Sequence, residues 1–403
     1  MSFIGQNSHP FAENQIPRGV TTLGGLSDAN TSNNNIALGS GALSATTASG
    51  VVAIGVNAGL TGSNVGNDSV IIGGTETSSG SFPNSVAQLG CGADNVVIGP
   101  SALGGATVFG VEAVAIGAGA GYNGIGEDTI MIGRASGLGS TANLAQKAIF
   151  IGDNVAVGTG TFNDQSICIG FLAGVNGSGQ DSVAIGTQAK ALTQGSVAIG
   201  AISEASTQNF TVAIGDSAVA QGEESVSMGL SATTTGYRSI ALGPLAKATG
   251  DYSVSIGGAA CTTAGSGNYV VAIGQAAGGI SAPGDNAILI GSDAGQGSTS
   301  AASANSICIG NQAGATGCGV NSILLGEAAQ GLTNNSIVIN ATGGTTASVA
   351  SGLVIKPIAE QIGVGTVSLA NHVNLCTTAT GFTQILMYNP STGEVRAVTQ
   401  PTI

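Results

Sequence analysis

The sequence predicts an all-β chain wound as a solenoid of about 19 short parallel coils. Three observations carry this. A five-residue motif returns at short intervals through most of the chain. Its columns alternate with the period of a β-strand. The composition is that of many tight turns and small apolar side chains: 68 Gly but only 9 Pro and no Trp in 403 residues, 42% hydrophobic and 7% charged. An ordinary soluble domain carries about 25% charged residues. Low charge with high hydrophobicity excludes a disordered, solvating chain. Gly far below one-third with scarce Pro excludes collagen.

The repeat is plain from Ser182-Val-Ala-Ile-Gly186 onward: Ser196-Val-Ala-Ile-Gly200, Thr211-Val-Ala-Ile-Gly215, Ser225-Val-Ser-Met-Gly229 and Ser239-Ile-Ala-Leu-Gly243. Counted on its glycine, the motif occurs 18 times between Gly39 and Gly326, and a nineteenth copy ends in Asn340. Copies are 14 or 15 residues apart between Gly186 and Gly257 and mostly 16–19 elsewhere. Such a period marks a repeat architecture in which each unit buries its core only against its neighbours.

Each column has a physical reading. The residue before the glycine is always Ile, Leu or Met, and two positions earlier stands Val or Ile. Residues i and i+2 of a strand share a face, and β-branched residues favour strands. The pairs Val183/Ile185, Val197/Ile199 and Val212/Ile214 are therefore expected to form the structural core. The residue between them is never charged. This reading makes Ala184, Ala198 and Ala213, with Cys168 and Cys308 of the same column, the face covered by a neighbouring subunit. Gly186, Gly200 and Gly215 are expected at coil corners, where a left-handed or closely approached backbone is needed. Ala-x-Ala stretches such as Ala189/Ala191 form the second leg, and turns rich in Gly, Asn, Asp, Ser and Thr close each coil.

The stretch Ser182 to Gly195 resembles the head repeat of trimeric autotransporter adhesins of the YadA type. The longer form, as in Asn305-Ser-Ile-Cys-Ile-Gly-Asn-Gln-Ala-Gly314, is similar to repeats of phage and giant-virus fibre proteins. The resemblance implies a left-handed parallel β-roll and an intertwined or side-by-side homotrimer, with Cys168 and Cys308 near its axis. Met387-Tyr-Asn-Pro-Ser-Thr-Gly-Glu-Val395 is similar to a segment near the C-termini of fibre-like proteins of large DNA viruses and phages.

Three regions are expected along the chain. Residues 1–33, free of the motif, read as an N-terminal arm, cap or attachment segment. Residues 34–345 form the β-roll shaft, and residues 346–403 a C-terminal β-cap that sets trimer register. The net charge of −13, from 8 Lys+Arg against 21 Asp+Glu, disfavours nucleic acid and anionic membranes as partners. No apolar run is long enough for membrane insertion, and the N-terminus does not read as a signal peptide. The two histidines, His9 and His372, lie outside the repeats. No phosphate loop, CxxC or paired-carboxylate signature is present, so neither an enzyme nor a cofactor or metal site is expected.

The function expected is that of a structural fibre or filament subunit on a virion surface or outside the cell. Its expected partners are itself, as a trimer or an end-to-end filament, a capsid or tail protein through residues 1–33, and a host-surface glycan or protein. A bacterial surface adhesin or self-assembling extracellular filament is the alternative.

Overall fold

The structure, a computed structural model of the full chain, describes residues 34–340 apart from residues 40, 44–47, 60–64, 74–91, 105–109, 139–144, 159–161, 263–265, 280–281, 298–303 and 332. It also places strands at Ala29–Asn30, Thr346–Ser348, Gly352–Lys356, His372–Val373, Gln384–Asn389 and Glu394–Thr399. Apart from these strands, the expected arm and cap, with His9 and Cys376, lie outside the described residues, as does Cys91 of the shaft. The fold is an all-β parallel solenoid of about 16–19 turns.

Two compact units, residues 1–209 and 210–403, are built alike. In each, one three-residue strand per coil stacks in register on the next. In the first unit Val183 pairs with Val197, Ala184 with Ala198 and Ile185 with Ile199. In the second, Val226 pairs with Ile240, Ser227 with Ala241 and Met228 with Leu242. The coils join through the backbone: Val183 N donates to Ser196 O at 2.9 Å, and Gly186 N to Ile169 O at 2.8 Å. A shorter second leg stacks the same way where coils are tight, as Lys190–Ala191 does on Glu204–Ala205. Strand Ala29–Asn30 runs antiparallel to Ile36–Leu38. At the other end, the hairpin Gln384–Asn389/Glu394–Thr399 is antiparallel and meets the solenoid where Glu394 lies opposite Val354.

The inside of the coil corrects the expected core. Val183 and Ile185 are only half-buried, and the residue between them, Ala184, is buried. The same holds for Val197 and Ile199 around Ala198, and for Val212 and Ile214 around Ala213. Cys168 and Cys308, expected at a subunit interface, also lie fully inside their coils. The interior of a tight coil is Ser182, Ala184, Ala189 and Ala191, each at most 1% exposed. The reason is space. In a 14-residue coil the two legs approach so closely that a methyl or hydroxymethyl group fills the gap, and a Val or Ile there would overpack it. The strand period is as expected and its phase is inverted, which turns every side chain to the other face.

Longer coils make room for larger residues. Phe150, Met131 and Leu289 occupy the middle column and are buried, and Leu324 does the same in a 14-residue coil where Gly331 stands opposite it. The facing leg then turns at a glycine: a Cβ on Gly295 would sit 2.5 Å from Leu289 Cδ2, and one on Gly137 2.5 Å from Met131 Sδ. At the corners, Gly186, Gly200 and Gly215 have φ of 130–133°. A Cβ on Gly186 would run into the carbonyl oxygen of Gly200 in the next coil.

The column before each strand is an inward one that the sequence analysis did not single out. It is Ser182, Ser196, Thr211, Ser225, Ser239 or Ser253 in the tight coils, all buried. Ser239 Oγ donates to Gly236 O at 2.7 Å, while Ser225 and Thr234 join hydroxyls at 3.0 Å. In the first unit Asn35 takes this role, its Nδ2 donating to Ala48 O and its Oδ1 accepting from Val51 N, both at 2.8 Å. These bonds offset the cost of burying those polar groups, whereas Ser182 Oγ is buried with no hydrogen-bond partner among the described residues.

Ala184→Leu should therefore destabilise the fold by about 1–3 kcal/mol through overpacking. Leu289→Ala should cost about 2–5 kcal/mol by opening a cavity in a wider coil. Chemical denaturation of each variant checks both; a neutral Ala184→Leu would mean that this column is not enclosed.

Candidate subunit interface and exposed edge

The inverted phase places the large apolar side chains of the strands on the outer face. In each coil the two flanking residues of the strand stay half-buried or exposed. Ile36, Ile54, Met228, Ile273, Ile309 and Ile337 are 36–40% exposed in the single chain. The strip continues around the corner, where Val56, Phe171 and Ile202 in the first unit and Leu230 and Leu245 in the second are 46–56% exposed. Within each unit the strand columns repeat coil after coil because the strands stack without slippage, whereas the corner positions of other coils are polar, as at Thr187, Asp216 and Gln275. A contiguous apolar strip of this kind is a candidate association surface.

Several of the corner residues carry a backbone cost. Ile202 and Leu245 sit in the left-handed region with φ of 55° and 59°. That conformation costs an L-residue about 1–2 kcal/mol, and Gly or Asn would relieve it. Large apolar residues held there in water are the residues an association surface would use.

The turn that leads into each strand forms a second, chemically different edge. In the first unit it carries Asp68, Asp94, Glu112 and Asp128, all left-handed with φ of 54–58°. Stacked acids repel. A hydrogen bond to Asp128 and its charge push the Glu112 carboxyl above the usual range, with Asp94 and Glu127 adding to the effect. In the second unit the same turn carries Arg238, Tyr252 and Tyr269, followed by Asn286, Asn305, Asn321 and Asn335. Arg238 reaches Glu224 through Nε at 2.6 Å and Nη2 at 3.2 Å, and its guanidinium lies 4.8 Å from the Tyr237 ring centre. This pairing holds the Glu224 carboxyl below its ordinary range. Tyr252 and Tyr269 stack at 5.2 Å with rings 2° apart, and Tyr237 meets Tyr252 edge-on at 5.4 Å. The asparagines form a ladder, each amide bonding the next at 3.1–3.2 Å. Three of the chain's five tyrosines thus share one edge, a clustering invisible in composition alone.

Among the described residues, no group of three or more His, Cys, Asp or Glu is placed to hold a metal ion. Among the same residues, no helix is long and apolar enough to cross a membrane. Cys168 is inert in its coil, where burial pushes its thiol up to about 12.

The raised Glu112 carboxyl sets a pH dependence. The folded chain binds this proton more readily than the unfolded chain, so stability rises as pH falls from neutrality toward the raised value. Glu112→Gln should raise Tm at pH 7, and the gap from wild type should narrow as pH is lowered. A gap that is constant with pH would show that the charge is not the cause.

With the coil geometry established, comparison with known proteins finds a match to the YadA head domain repeat over residues 178–201, 207–232 and 235–260. No curated protein matches the chain. The matched stretches are the tight coils with alanine or serine inside, and in these coils the chain is similar to the repeat of trimeric adhesin heads.

Proposed function

We propose that the protein is a structural, non-catalytic subunit of a homotrimeric surface fibre of the adhesin type. The observation that carries this reading is the outward apolar strip of Val, Ile, Leu and Met on coils that match an adhesin head repeat. A solenoid coil has already buried what fits inside it. The apolar side chains left outside are best covered by identical columns of other copies, whose spacing matches coil for coil. Closed symmetric association of one chain also removes the strip from water in every copy.

The match favours a surface-displayed adhesin or extracellular filament over the virion fibre expected from the sequence. An adhesin needs two surfaces, one to assemble and one to display. The apolar strip supplies the first. The tyrosine–arginine–asparagine edge of the second unit, polar and hydrogen-bonding, is suited to the second.

Sedimentation velocity of the full-length chain tests the reading, with a three-chain mass expected. Met228→Asp/Leu242→Asp/Ile256→Asp places charge on the strip in three consecutive coils and leaves the interior untouched. This variant should shift the population toward single chains while the far-ultraviolet β signal persists. A wild type that sediments as a monomer, or a variant that stays fully trimeric, would overturn the assignment of this face.

A further inference from the structure

The coil spanning residues 306–322 holds two cysteines in one interior. Cys308 is the middle residue of strand Ile307–Ile309 and is fully buried. The chain then rounds the corner at Gly310, turns at left-handed Gly314 (φ 69°), and returns Cys318 to the same interior at 2% exposure. A Cβ on Gly314 would lie 2.8 Å from Cys308 Sγ and 3.4 Å from Cys318 Cβ, so the two side chains line one cell of the coil. The two belong to one buried cluster, and each thiol shifts the titration of the other. The backbone at Cys318 is fixed by a parallel bridge to Gly331. Among the described residues, no other cysteine shifts the titration of Cys168 or Cys261.

We propose that Cys308 and Cys318 are a disulfide-forming pair that ties the two legs of this coil together. The chemistry needs a disulfide oxidant such as oxidised glutathione. The Cys318 thiolate attacks one glutathione sulfur, forming a mixed disulfide and releasing one glutathione thiolate. The Cys308 thiolate then attacks Cys318 Sγ, forming the Cys308–Cys318 bond and releasing the second. Two protein thiols and one oxidised glutathione become one protein disulfide and two reduced glutathiones. Cys318 is suited to open the sequence, because the Cys308 thiol beside it holds its thiol below the ordinary value as the two legs come together. Both thiols are closed to solvent once the coil is stacked, so the bond forms as the coil closes during folding. This inference does not depend on the adhesin reading, but it fits a protein displayed where disulfides persist.

The test is to unfold full-length protein and refold it with oxidised and reduced glutathione. Free thiols are then alkylated under denaturing conditions and the peptides mapped without reduction. The expected result is a dominant Cys308–Cys318 linkage, with Cys168 and Cys261 alkylated. Oxidised wild type should also melt a few degrees above reduced wild type, and Cys318→Ala and Cys308→Ala/Cys318→Ala should lose that difference. Recovery of both residues as alkylated thiols from the oxidising refold overturns the proposal. So does linkage of either one mainly to Cys91, Cys261 or Cys376, or an oxidant-dependent Tm rise that survives in the variants.

Discussion

The distance between the two legs of a coil governs this molecule. In the tight coils it admits Ala184, Ala189, Ala191 and Ser182 and little else. A core of methyl and hydroxymethyl groups buries far less apolar area per residue than one built from leucine and phenylalanine. The missing stabilisation has to come from elsewhere. The backbone ladder between coils contributes, since nearly every strand amide is satisfied by the coil above or below. In the proposed assembly the outer columns of Val and Ile would supply the rest. Narrow coils and the proposed association would then be two sides of one constraint.

The same constraint explains how the wider coils differ. Where Leu289 or Met131 enters the interior, the facing leg turns at glycine to clear the side chain. Leu324 enters a 14-residue coil in the same way, with Gly331 opposite it, so the facing residue sets the interior volume together with coil length. The corner is less negotiable, because at Gly186 a side chain would meet the next coil's backbone and not a movable group.

Much of this is legible in the sequence. The period, the parallel stacking and the corner glycines follow from columns that a reader can count. The phase does not follow, because ranking residues by apolarity puts Ile185 inside and Ala184 outside. A signal that points to it is present: the run of 14- and 15-residue coils from Gly186 to Gly257 has only Ala or Ser in the middle column, from Ala184 to Ser255. Ile71, Met131, Phe150 and Leu289 occur there in longer coils, and Leu324, in a coil of 14, stands with Gly331 opposite it. A column whose large residues are matched by longer coils or by an opposing glycine points into the coil. The buried Ser/Thr column escapes notice because hydroxyl residues beside turns read as surface. The Tyr237–Tyr252–Tyr269 cluster escapes because one-coil spacing becomes adjacency only after stacking. The Cys308–Cys318 pairing needs the turn at Gly314, which spacing alone does not reveal.

The stacking in register has a consequence for how such a chain can change in size. Coils of 14 to 19 residues pair strand for strand, so their extra residues are accommodated in the turns and the ladder is undisturbed. A whole coil can be duplicated or deleted and the two cut faces still match. A single residue added inside a strand would instead exchange the methyl-lined interior with the aliphatic exterior from that point. The length of the molecule is therefore quantised. It behaves as a ruler whose smallest division is one coil, and a lineage could lengthen or shorten its reach in whole divisions without redesigning a side-chain contact.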